Sequence, residues 1–315
     1  MKIITRIKIT LVFLIISFCA ANTFTQNTSA GDELEKYFKA ARDNKSYSFD
    51  NNLIKSDVEK LLLAKAEYYG KDTLDKVRLY ALNIIRKIGI KSENGSIRQK
   101  SVALLIDACR DKNSGVCGSA SRYLTYFMKD DYTKEAQVQL ALLLNEKPYH
   151  FNRIILLNGF VKPDNSKTTI QNIIDTDSTL TKKDRWSAKL ALARMGDEKY
   201  VNYCVQKIQS MPINDDIVYE LLPDLIYTRQ PSAFSYLIKI LNNDAKLCMS
   251  SNPDKEAAIL CGYRVMEYLA PVIKDFPLQT DASGDIQHDD YDDALAIVRK
   301  WFEDNPEYEI LTSNF

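Results

Sequence analysis

An all-α fold, a right-handed α–α superhelix of about six helix pairs, is what this sequence predicts. Three observations carry the prediction. Glycine is scarce, with 10 in 315 residues, about half the usual share. Sheet folds with many tight turns need more of it to supply positive φ. From residue 56 onward the apolar residues recur at helical spacing, with no alternating stretch long enough to argue a sheet. The helices are also evenly placed. Alternate ones start near residues 74, 115, 149, 183, 215 and 254, a mean step of about 36, the length of a two-helix solenoid unit.

The elements follow in chain order. Lys2, Arg6 and Lys8 precede an apolar run from Ile9 to Ala21. The run is short for a bilayer span and fits a secretory signal with cleavage near Ala21–Asn22. Phe18 before Cys19 argues against a lipid anchor at that cysteine. Residues 22–30 are polar and read as disordered, 32–41 as a short helix and 45–52 as a loop, so that residues 22–55 form an N-terminal segment. Residues 56–273 form the repeat domain, opening on Ser56-Asp-Val-Glu59, a capping-box pattern; Thr181-Lys-Lys-Asp184 is a second. Gly89 and Gly196 stand where helices should end, Asp197 can cap the next helix, and Pro148, Pro231 and Pro253 suit first-turn positions. Pro223 falls inside the Val218–Leu225 stripe and should kink it. The stripe Ala258, Gly262, Val265, Met266, Leu269 predicts a helix from about residue 254. Residues 274–315 comprise an aperiodic surface loop, 274–288, and a capping helix around Asp290–Asp304.

The segment Arg185-Trp-Ser-Ala-Lys-Leu-Ala-Leu-Ala-Arg-Met-Gly-Asp-Glu-Lys-Tyr-Val201 resembles a HEAT repeat: an A helix, a tight Gly-Asp turn and the start of a B helix. A looser match runs from Ile217 through Tyr227-Thr-Arg-Gln-Pro231 to Leu241, so the resemblance is specific at 183–243 and extends over about 73–272. Earlier units lack the Gly-Asp turn. The resemblance implies an architecture and a habit of binding other macromolecules, not one reaction.

Charge and cysteine content narrow the function. The chain carries 42 basic and 42 acidic side chains. Loss of residues 1–21 would leave a net charge near −3, with no broad basic field for nucleic acid. Five cysteines remain beyond the signal, and an odd number in an oxidising compartment allows at most two bridges. Cys109–Cys117 and Cys248–Cys261 flank turns and are the two candidate bridges; Cys204 reads as a buried core thiol.

Catalytic motifs are missing: there is no Gly-x-Ser-x-Gly, phosphate-cradling Gly-x-x-x-x-Gly-Lys, His-Glu-x-x-His or Cys-x-x-Cys. The acids at 281, 285, 289, 290, 292 and 293 with His288 lack calcium-loop spacing, and serve better as the start of the last helix. His150 has no nucleophile motif beside it, and Trp186 and Trp301 read as packing residues. No catalytic, cofactor or metal residue is therefore assigned. The Val201, Cys204, Val205, Ile208 stripe superposes on Phe234, Leu237, Ile238, Leu241 at an offset of 33, which carries Tyr203 onto Tyr236. These tyrosines, with Lys207 and Lys239, are the candidate partner-binding residues, expected half-exposed on a concave face. The functional expectation is an exported, non-catalytic scaffold for a protein or peptide partner, without cofactor and without a membrane span in the mature chain. The alternative is an exported helical-toroid enzyme acting on polysaccharides.

Overall fold

The computed structural model describes residues 30–250, 257–281 and 283–315. The expected signal sequence and cleavage point, Cys19 and Pro253 lie outside the described residues. The described chain is all-α and solenoid-like. It divides into two compact units. The first runs to Phe127 and adds Asp131–Gln139 and Pro148–His150; the second comprises Met128–Asp130, Leu140–Lys147 and Phe151–Phe315.

The first unit contains α1 (residues 30–42), α2 (Glu59–Tyr69), α3 (Asp75–Lys91), α4 (Gly95–Ala108) and α5 (Ser114–Leu124). Each helix touches its successor, α2 meets α4 and α3 meets α5, so alternate helices form two layers. Helix α6 (Lys134–Glu146) is divided between the units. In the second, α7 (Phe151–Val161), α9 (Lys182–Arg194), α11 (Leu222–Thr228) and α13 (Gly262–Leu269) touch in turn as one layer. Helices α8 (Ser166–Thr176), α10 (Glu198–Gln209) and α12 (Pro231–Leu241) lie behind them, and α14 (Tyr291–Asp304) packs on α13. The cores are apolar side chains between the layers, among them Ile84, Ile85, Ile88, Leu105 and Leu124 in the first unit and Leu192, Cys204, Leu237 and Val265 in the second, all at 2% exposure or less.

Polar contacts repeat with the helices. Arg78 Nε–H donates to Asp111, 33 residues on, while Nη1 donates to the carbonyls of Asp72 and Thr73. Arg98 does the same, to Asp131, 33 residues on, and to the carbonyls of Ser92 and Glu93. Each guanidinium ties a helix start to the turn before it and to the next unit's turn, satisfying carbonyls that would otherwise be orphaned.

Local signals were met where sequence alone controls them. Thr181 and Asp184 form the reciprocal capping box of α9, Gly196 takes φ +81° after it, and Asp290 accepts from the amides of Asp292 and Asp293 at the start of α14. Pro231 occupies the first turn of α12. At Pro223 the expected irregularity is a π-turn, Ile217–Leu221, leading into α11, the usual response to a missing amide inside a helix.

Four expectations are corrected. Gly89 does not end α3 but lies buried inside it, where an added Cβ would sit 2.7 Å from Ser101 Cβ and the Phe127 ring; it is glycine for close helix approach. Ser56–Glu59 forms no capping box: Val58 is the N-cap, and Glu59, 6% exposed, turns inward to accept from Ser92 Oγ at 2.6 Å. A buried carboxylate needs a donor more than an exposed amide needs a cap. Pro148 precedes α7 by three positions and is outside its first turn. Ala258 is not helical. It pairs antiparallel with Met249 in a short hairpin (β1 Cys248–Met249, β2 Ala258–Ile259), and the helix starts only at Gly262.

Candidate functional site

Of the two proposed bridges, Cys248–Cys261 is formed, closing the hairpin before α13. Cys109–Cys117 is not. Both are buried thiols, Cys109 facing the carbonyl of Leu105 at 3.4 Å and Cys117 those of Cys109 (2.9 Å) and Tyr149 (3.0 Å). Backbone carbonyls, not each other, take up the two thiols. Cys204 is fully buried as a thiol, and burial pushes it up to about 12.

The tyrosine pair separates. Tyr203 is 42% exposed, with Lys189 Nζ 3.9 Å above its ring and Trp186 beside it, whereas Tyr236 is 9% exposed. Its burial also raises the Tyr236 hydroxyl. Both helices meet three others, α10 with α9, α11 and α12, and α12 with α10, α11 and α13, so the difference is local to the two ring positions. Lys207 and Lys239 are both exposed. The offset of 33 aligned the core stripes correctly, but Tyr236 belongs to the core and the pair makes no shared surface. His150 is structural too. It takes φ +58°, and its Nε2 lies 3.1 Å from the carbonyl of Ser114.

A different site emerges at the C-terminal ends of α9 and α11, built around Arg194 and Arg229, 3% and 7% exposed. Neither forms an ion pair among the described residues. Arg194 ends α9, and its Nη1 donates to the carbonyl of Tyr227, 33 residues on. Its Nη2 donates to the carbonyls of Asn314 (2.6 Å) and Thr312 (3.5 Å). Arg229, left-handed at φ +54° where α11 stops, donates from Nε to the carbonyl of Leu311 (2.9 Å) and from Nη2 to that of Phe315 (2.9 Å). Its Nη1 takes up the carbonyl of Ile226 at the helix end. Burial pulls both guanidinium values down; for Arg229 the neighbouring Arg194 charge lowers it further, to about 9, while Tyr227 opposes the shift at both. Carbonyl dipoles at helix C-termini are the compensating charge.

The segment these arginines grip is the chain's own. Residues 310–315 run beside the second unit's helix ends: Ile310 bridges Ile273, Leu311 N–H donates to Val272, and Ser313 accepts from the amide of Lys129. Phe315 sits against Phe160 and Tyr227, with ring centroids 5.7 and 5.2 Å away. The Tyr227 hydroxyl is fixed in turn by the carbonyl of Leu156 at 2.6 Å. Phe315 also walls a cavity of about 490 Å³ with Ile226, Arg229, Glu267, Tyr268 and Pro271. No family model matches this chain, and no curated protein matches it.

Near the other end of α11, Asp224 accepts from Trp186 Nε1–H at 2.5 Å; burial drives its carboxyl up to about 6 despite that bond. Among the described residues no cluster of histidine, cysteine and acid side chains can hold a metal ion, and no helix is long and apolar enough to cross a membrane.

The sequence did hold a signal for the groove. Arg194 and Tyr227 stand at the repeat offset, and arginine ends two successive helices of one layer.

Proposed function

We propose that this chain is an exported, non-catalytic α-solenoid, HEAT-like in its repeats, that binds extended protein or peptide segments. One observation carries the reading: two buried arginines hold the main-chain carbonyls of residues 311, 312, 314 and 315 while an aromatic nest takes the Phe315 side chain. Recognition through main-chain carbonyls plus one side-chain pocket is the physics of peptide grooves. The disulfide at Cys248–Cys261 supports export, since such bonds persist in oxidising compartments.

The test is exchange. A labelled peptide Ile-Leu-Thr-Ser-Asn-Phe should bind a variant shortened after Ile310 at least about tenfold more tightly than the chain with its own segment in place, because a tethered occupant competes at high effective concentration. Arg229→Met in the shortened variant should abolish binding. A folded shortened variant that ignores the peptide would refute the groove. Should shortening unfold the second unit, Phe315→Ala in the full chain opens the same nest.

A second reading, an enzyme acting on polysaccharides, draws on Asp224, a carboxyl near 6 beside a tryptophan, as a general acid would be. Release of reducing ends from polysaccharides, lost in Asp224→Asn, would support it over the scaffold.

A further inference from the structure

The first unit carries a separate surface with a different chemistry, where α1, α3 and α5 lie side by side. Tyr37 of α1 and Tyr80 of α3 have ring centroids 4.6 Å apart, and Asn83 Nδ2–H donates to the Tyr37 hydroxyl at 3.1 Å. On this aromatic floor stand Arg86, Lys87 and Arg122. The Arg86 guanidinium lies 5.0 Å from the Tyr123 ring centroid and 5.8 Å from that of Tyr126, and Arg122 lies 5.3 Å from Tyr123. Two guanidiniums thus share one tyrosine ring, which places them within about 10 Å of each other.

These cations have no carboxylate. Other cations of the first unit are paired: Arg78 with Asp111, Arg98 with Asp131, Lys65 with Glu35, Lys100 with Glu67. Among the described residues Arg86, Lys87 and Arg122 form no ion pair, and Arg86 makes one hydrogen bond, from Nη2 to Asn83. Its Nε–H is shielded from water and has no acceptor at all. A buried donor without a partner costs free energy that an arriving acceptor restores. Lys87 is held below its ordinary value by burial and then by the Arg86 charge. The site is short of negative charge.

We propose that the α1–α3–α5 face binds an acidic peptide segment of a partner protein, its carboxylates on Arg86, Lys87 and Arg122 and its main chain across the tyrosine rings. A carboxylate matches the guanidinium fork, and a guanidinium stacked on a ring presents that fork edge-on. Three cations on an aromatic floor suit a short acidic stretch. Tracking a nucleic acid or a sulfated polymer requires a longer basic stripe than these three cations supply.

The probe is a fluorescein-labelled decapeptide of alternating Glu and Ala, with its Gln counterpart as control, read by anisotropy against the full chain. The Glu peptide should bind, weaken steeply between 0.05 and 0.3 M salt by about tenfold, and outbind the Gln peptide by a similar factor. Lys87→Glu with Arg122→Glu should abolish binding while leaving the circular dichroism spectrum unchanged. Arg86→Gln should weaken binding at least about tenfold; if it disturbs folding, the two surface reversals carry the test alone. Equal binding of Glu and Gln peptides, native-like binding by the double reversal, or no binding by the native chain would overturn the proposal. Tighter binding of polyphosphate or heparin through the same residues would also overturn it, in favour of a polyanion. The exchange of the 310–315 peptide in the second unit serves as an internal control, since neither reversal touches that groove.

Discussion

Gly159→Ala is the sharpest probe of the second unit's packing, because the same methyl group that should help an isolated helix should harm this one. Gly159 lies buried in the middle of α7, against α9. A Cβ there would stand 2.7 Å from both Cα and Cβ of Ala191, and would overlap the Tyr227 hydroxyl. Ala191 Cα is backbone, so relief requires α7 and α9 to part by several tenths of an ångström or more, a cost of about 1–3 kcal/mol for an overpacked core. Tyr227 must also move, endangering its bond to the Leu156 carbonyl, worth about 1 kcal/mol. The gain in helix propensity is about 0.5–1 kcal/mol. The net is a loss of about 1–3.5 kcal/mol, or about 2–14 °C in Tm for a unit of this size. Gly118→Ala in α5 is the control. The three atoms nearest its Cβ are all in the His150 ring, 2.6 Å at Nε2. Displacing that side chain costs its contact with the Ser114 carbonyl, about 1 kcal/mol, against a helix-propensity gain of about 0.5–1 kcal/mol. That variant should lie within about 0.5 kcal/mol of the native chain. Differential scanning calorimetry reads both. A Gly159→Ala protein as stable as the native one, or a Gly118→Ala protein more damaged than it, would refute the close-approach argument.

Two further outcomes follow from the same structure. Replacing Cys248 and Cys261 by serine should lower stability by about 3 kcal/mol in the chain-entropy account of a loop this short, and a non-reducing peptide map of the native chain should show that bridge and none joining Cys109 to Cys117. Asp224 should set a pH dependence of unusual sign. Its carboxyl titrates near 6 in the folded chain against 3.8 ordinarily, so the folded state holds its proton longer than the unfolded one. Stability from this group is therefore complete below about pH 4 and falls as pH rises through 6. Asp224→Asn, which keeps the acceptor for Trp186, should flatten the thermal midpoint over that range; a slope that persists would assign it to another group.

How much of this was legible in the sequence depends on how local the cause is. Thr181 and Asp184 need only each other to cap a helix, Gly196 needs only its own missing Cβ, and both behave as read. Gly89 looks the same as Gly196 in sequence, but Ser101 and Phe127 decide its role, and they arrive from other elements. Glu59 fails as a cap because Ser92, 33 residues away, competes for it. Tyr236 fails as a binding residue because the packing around its own ring leaves it 9% exposed against 42% for Tyr203, a difference that the shared register does not encode. The hairpin at Cys248–Met249 hides behind a helical stripe because Gly262, Val265, Met266 and Leu269 alone suffice to make that stripe, and Ala258 joined it by chance of register.

The candidate sites were hidden by a balance that holds for the whole chain and fails locally. Equal numbers of acids and bases suggested a surface without direction. Pairing in the folded chain is uneven, because the repeat itself engages particular acids: Asp111 and Asp131 are taken by the arginines that join successive units. An acid fixed in such a ladder cannot neutralise a cation on the face of α3 and α5, so Arg86, Lys87 and Arg122 stand without one although the sequence contains acids enough. Arg194 and Arg229 reach the same state by another route, at helix ends where carbonyl dipoles stand in for carboxylates and leave donors directed at a passing main chain. The architecture that makes the solenoid regular thus also makes its charge irregular. The cations left over are the groups on which both proposed binding sites rest.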